Sequence, residues 1–97
     1  MRIGTVPEGT EHNGHIFWVL ARSGEDRASI MAKMAERGVE TRSHYVPLHD
    51  SEGGRRFGRV AGTMERTLEA GERLFRLPIW NGVDSERVAE TVVGALR

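Results

Sequence analysis

The longest unbroken apolar run in the chain is Ile16–Ala21, six residues. That limit shapes everything the sequence can build. A membrane-crossing helix needs about 20 such residues, so no membrane span is expected. A run this short, rich in aromatic and β-branched side chains and bounded by Gly14 and Ser23-Gly24, suits a buried strand. We read 15–21 as that strand, buried on both faces, with Trp18 inside it.

The rest of the chain divides at its glycines and prolines. Residues 1–14 hold Pro7 and three glycines without helical period, and read as an extended N-terminal segment. They are polar, with Glu8, Glu11 and His12, unlike a secretion signal. After the strand, Ile30/Met34 and Met31/Ala35 repeat at i,i+4, Ser23 or Asp26 can cap, and Gly38 marks a stop. This is a helix whose methionines belong to the core. Residues 39–43 look like a short strand.

"HYVPLHD" should be a loop, because Pro47 lacks a donor and drives Val46 toward extended geometry. The glycine-rich stretch 51–62 allows at most a helical turn. Residues 63–75 return to helical spacing, with Thr63 as a cap. "RLPIW", 76–80, reads as a strand whose proline argues for an edge or a bulge. Trp80 at its end suits core or rim equally. The last stretch is a helix capped by Asp84 or Ser85, with Val88, Val92, Val93 and Leu96 as one apolar stripe.

The order β-α-β-loop-α-β-α predicts an α/β two-layer sandwich: a small three-stranded sheet with helices on one face. At 97 residues the chain is one domain, 15–97, preceded by the extended segment 1–14. Acidic and basic residues balance at 14 each, so no overall field draws the chain to nucleic acid or an anionic membrane. The absence of cysteine removes disulfides, thiolate metal sites and thiol nucleophiles. His12, His15, His44 and His49 lack helical metal-binding spacing, so no metal site is expected. Ser43 beside His44 lacks the G-x-S-x-G elbow of a hydrolase. Arg55, Arg56 and Arg59 lie either on a flexible surface loop or against an anionic ligand.

Three segments carry a resemblance: "PEGTEHNGHIFWVLA" at 7–21, "DRASIMAKMAERGVETRSHYVPLHDSEGGRRFG" at 26–58, and "ERLFRLPIWNGVDSERVAETV" at 72–92. Together they resemble the C-terminal part of sugar-nucleotide aminotransferases of the DegT/StrS type. "HYVPLH" followed at this distance by "RLPIW" is the most specific pair.

The resemblance implies the small domain of the aspartate-aminotransferase-like fold. It implies a cytoplasmic homodimeric parent enzyme that uses pyridoxal phosphate to move an amino group from glutamate to a 4-keto-6-deoxy sugar nucleotide. The parent's large domain would carry the cofactor-bonding lysine, the partner of the pyridine nitrogen and the phosphate cup. None of these is expected here, since the one lysine, Lys33, falls mid-helix and reads as solvated. The chain alone is therefore expected to hold no cofactor and to be inactive, with the missing large domain as its partner. By the same resemblance, His44 and Tyr45 face the nucleotide-sugar side of the cleft. His49 orients the loop or makes a structural hydrogen bond, and Arg55 and Arg56 are candidates for diphosphate contact. Apolar surface left uncovered would favour self-association. The alternative is a stand-alone sugar-nucleotide-binding or regulatory module without catalysis.

Overall fold

The computed structural model describes residues 1–97. Its elements are β1 (Arg2–Ile3), β2 (Phe17–Leu20), α1 (Gly24–Glu36), β3 (Arg42–Ser43), α2 (Glu52–Phe57), α3 (Glu65–Arg73), β4 (Leu74–Leu77) and α4 (Ser85–Ala95), with a short 3₁₀ turn at Leu48–Asp50. The expected α/β sandwich is present, with a correction to its sheet. There are four strands, in the order β1-β2-β4-β3 and antiparallel throughout, not three. The extra edge comes from the N-terminal segment, where Arg2 and Ile3 pair with Leu20 and Val19.

β2 and β3 both run antiparallel to β4, so they are parallel to each other with β4 between them. α1 makes the crossover. Its start is set by Ser23, whose hydroxyl accepts from the Asp26 amide at 3.1 Å. Its end is set by Gly38 at φ +75°, a conformation that L side chains rarely adopt.

Cross-strand pairing puts Val19 opposite Phe75 on one face of the sheet. These two, with Ala21, meet Ile30 and Met34 from α1 and Val92 and Ala95 from α4 in one buried cluster. Met34 is core, as its spacing predicts; Met31 packs on the edge of the cluster. The expected stripe on α4 is rotated. Thr91, Val92 and Ala95 point inward, whereas Val93 and Leu96 face out. The far face of the sheet has no helix-built core of its own. Trp18, on that far face, is only half-buried, and Phe17, at the open end of the core face, is exposed, so β2 is not enclosed on both sides.

Two further differences concern β4. Pairing runs over 74–77 rather than 76–80, and the strand is central rather than an edge. Pro78 lies just past the last paired residue, so its missing N–H removes no ladder bond. α3 passes into β4 with no loop between them. At 51–62 the glycines do not prevent a six-residue helix, because Ser51 caps it by accepting from the Gly54 amide at 3.0 Å.

Candidate functional site

β3 ends at Ser43 and delivers His44 and Tyr45 to the surface. Their rings meet edge to face, with centroids 5.0 Å apart at 61°. Tyr45 is 77% exposed. Behind them Pro47 leads into the 3₁₀ turn, and the Ser51 hydroxyl donates to the Leu48 carbonyl at 2.7 Å. The loop leans on α3 at Gly71. A Cβ there would lie 2.8 Å from Pro47 Cγ, so only glycine leaves room for the ring. The Gly71 carbonyl accepts from the Arg27 guanidinium of α1 at 2.9 Å, which ties the seat of the loop to the core helix. A shallow cleft of about 380 Å³ results, bounded by Ser43, His44, Tyr45, Arg27 and Glu72.

The structure therefore brings His44 and Tyr45 together at a cleft. The other residues singled out from sequence have different surroundings. His49 is half-buried, and its Nε2 is enclosed with no hydrogen-bond partner in the chain. Arg55 donates to the Asp50 carbonyl at 2.6 and 3.0 Å and to the Asp50 carboxylate at 2.9 Å. Its guanidinium is occupied in holding the turn to α2. Arg56 lies over the Phe57 ring at 5.0 Å, and both are exposed.

Two arginines that sequence reasoning passed over stand closer to the loop. Arg76 of β4 sits directly opposite Arg42 of β3, and its guanidinium carbon is 5.8 Å from the Tyr45 ring centroid. Both line a larger cleft of about 640 Å³, with His15, Trp80 and Arg87 at its margins and Val39, Leu77 and Val88 among its walls. Trp80 is exposed there, a rim residue rather than core.

Lys33 is not on a solvated face. It is half-buried, and its ammonium donates to the Ala95 carbonyl at 3.2 Å, at the C-terminal end of α4. The most strongly held carboxylate is Asp26. It accepts from the Arg22 side chain at 3.0 and 3.2 Å and from the Arg22 amide at 3.0 Å. These bonds lower its pKa to about 2. The same pairing raises that of Arg22. No three His, Asp or Glu side chains converge as a metal-binding group. His12 instead accepts from the Gly14 amide at 2.9 Å through Nδ1. No helix is long and apolar enough to cross a membrane.

A family model for the DegT/DnrJ/EryC1/StrS aminotransferases matches residues 2–97. Among solved structures, the chain is similar to the aminotransferase TlmJ from Streptoalloteichus hindustanus, with 26% sequence identity and a TM-score of 0.75. That likeness covers 99% of this chain and 25% of TlmJ, so the chain spans about a quarter of the length of the enzyme it matches.

Proposed function

We propose, on the premise that the chain belongs to the DegT/DnrJ/EryC1/StrS aminotransferase family, that it is the small C-terminal domain of a sugar-nucleotide aminotransferase. The observation that carries this reading is the asymmetry of the structural match: nearly all of this chain on a quarter of an aminotransferase. In this proposal the amino donor is glutamate and the acceptor is a 4-keto-6-deoxy sugar nucleotide, as in dTDP-4-amino-4,6-dideoxygalactose transaminase. The parent enzyme is cytoplasmic and homo-oligomeric, and its large domain is the partner of this chain.

The family generally depends on pyridoxal phosphate, which supplies the electron sink for amino transfer when bound. The residues of this chain do not fit the task of holding it. A cofactor-bonding amine has to be free and directed at the cofactor. The ammonium of Lys33 is instead committed to the end of α4, so no chemical step is assigned to it.

The role assigned to this chain is recognition at the rim. A phenol and an imidazole can hydrogen-bond sugar hydroxyls or phosphate oxygens as donor or acceptor without burying a full charge. His44 and Tyr45 are side by side and accessible for that purpose. Pro47, wedged against Gly71, stiffens their loop. His49 sits within the turn as a positioning residue. Arg56, which has no carboxylate partner, is better placed than Arg55 to reach a diphosphate from α2.

The exposed apolar side chains Val46, Leu48 and Phe57 border the same loop, and in this proposal the large domain covers them. Titration of the chain with a dTDP-sugar, followed through the ring resonances of His44 and Tyr45, tests the reading. Saturable shifts that His44→Ala and Tyr45→Ala abolish are expected. A nucleotide sugar that leaves both rings unmoved while binding elsewhere removes the rim from the proposal.

A further inference from the structure

A row of side chains crosses the far face of the sheet from strand to strand. Trp18 of β2 is opposite Arg76 of β4, and Arg76 is opposite Arg42 of β3. Directly opposed residues share a face, with Cβ atoms about 5 Å apart. The register of the sheet thus sets two arginines side by side on one face, and both line the larger cleft. Like charges in this arrangement destabilise a strand pair, so the ligand-free fold carries a repulsion that a neutral side chain would relieve.

The two arginines are not equally compensated. Arg42 pairs with Glu40, and both are largely exposed. Arg76 takes part in none of the ion pairs. Its one side-chain hydrogen bond is a long contact of 3.5 Å from Nη2 to the Ser43 carbonyl. Its Nε is buried without an acceptor. Of the other charged groups at this cleft, Asp84 is spent on capping α4, accepting from the Arg87 amide at 2.9 Å. Arg87 itself donates to the Arg37 carbonyl at 3.3 Å.

We infer that Arg76 and Arg42 form a binding site for a phosphate or diphosphate group, set on the sheet face between the larger cleft and Tyr45. A guanidinium offers a planar fork of N–H donors and cannot shed its charge. Two forks on adjacent strands present more donors than a carboxylate's two oxygens can use. A phosphate group, with three acceptor oxygens, suits them better, and its second charge can compete with Glu40 for Arg42. The Tyr45 hydroxyl, on the ring beside Arg76, is available to the same ligand. The site rests on the guanidinium pair alone and does not require that the ligand be a sugar nucleotide.

The test uses the full 97-residue chain and inorganic pyrophosphate. Pyrophosphate is expected to shift the Arg76 Nε–H and Trp18 indole resonances saturably and to raise Tm. Arg76→Gln should weaken binding by about tenfold or more, and Arg42→Gln should weaken it too. Arg55→Gln should bind like the parent chain. Without ligand, Arg76→Gln should raise Tm by about 1–4 °C, because the repulsion is gone. A purely structural arginine would lower it.

Succinate serves as the dicarboxylate arm. Binding of succinate tighter than pyrophosphate overturns the phosphate assignment. No saturable shift with pyrophosphate, or equal losses in Arg55→Gln and Arg76→Gln, overturns the site. A dTDP-sugar that shifts His44 and Tyr45 in the parent chain, when pyrophosphate gives no saturable shift, would leave the rim proposal standing while this one fails.

Discussion

Gly71 and Pro47 are packed so closely that a β-carbon on the glycine would come within 2.8 Å of the proline ring. The rim loop therefore depends on an atom that α3 lacks. Alanine is favoured over glycine inside a helix by about 1 kcal/mol. Overpacking against a ring that cannot rotate away costs about 1–3 kcal/mol. Gly71→Ala is therefore expected to lower the urea midpoint slightly and to displace the ring resonances of Tyr45. A stabilised variant with an unchanged Tyr45 spectrum would show that the loop does not lean there.

Asp26 couples the fold to acid. Its folded-state pKa, about 2, lies below the usual value because Arg22 bonds the ionised carboxylate through side chain and backbone. A depressed carboxylate contributes stability that is complete above about pH 4 and is lost as the pH falls through the folded value. Asp26→Asn should be less stable than the parent chain at pH 6. The gap in urea midpoint should shrink between pH 4 and pH 2. A gap that stays constant over that range would rule out the carboxylate as its source.

Lys33 reaches across from α1 to the last turn of α4, where a cation meets unpaired helix carbonyls. Lys33→Met keeps the aliphatic stem and removes the charge. It should cost about 0.5–1 kcal/mol, with a deficit that narrows as salt is added. An unchanged Tm would mean that the ammonium is solvated after all.

The apolar side chains around the rim make a separate prediction. Leu48 and Phe57 are each 80% exposed, more than isolated surface positions explain when Val46 and Tyr45 lie on the same segment. The parent chain is expected to self-associate in sedimentation at high concentration. A Leu48→Ser, Phe57→Ser double variant should remain monomeric. Equal association of both would place the contact elsewhere.

Local chemistry made α1 readable in advance. Ser23, the Ile30/Met34 pair and Gly38 all act within one helix, and each does in the structure what its residue type implies, whereas Ala35 of the Met31/Ala35 pair is exposed. The missed features depend on distant partners. Arg2 and Ile3 become a strand only because β2 is there to pair with them. The start of β4 carries no signal, since α3 runs into it without a turn residue. His44 and Tyr45 were legible as a loop pair from Pro47. The Arg42–Arg76 opposition was not, because it arises from the register between two strands separated by more than 30 residues. Alternation along "RLP" places Arg76 on the face away from Phe75, but no sequence cue says which residue meets it there. Lys33 failed for the same reason: its acceptor, Ala95, lies on another helix.

The central claim is that this chain recognises while another domain performs the chemistry. The most direct check is intact and peptide mass spectrometry after micromolar pyridoxal phosphate and borohydride reduction, with glutamate consumption followed in a parallel unreduced sample that also holds a 4-keto-6-deoxy sugar nucleotide as amino acceptor. The account predicts no stoichiometric adduct on Lys33 and no turnover by the chain alone. A quantitative adduct mapped to Lys33, together with conversion of glutamate, would contradict it.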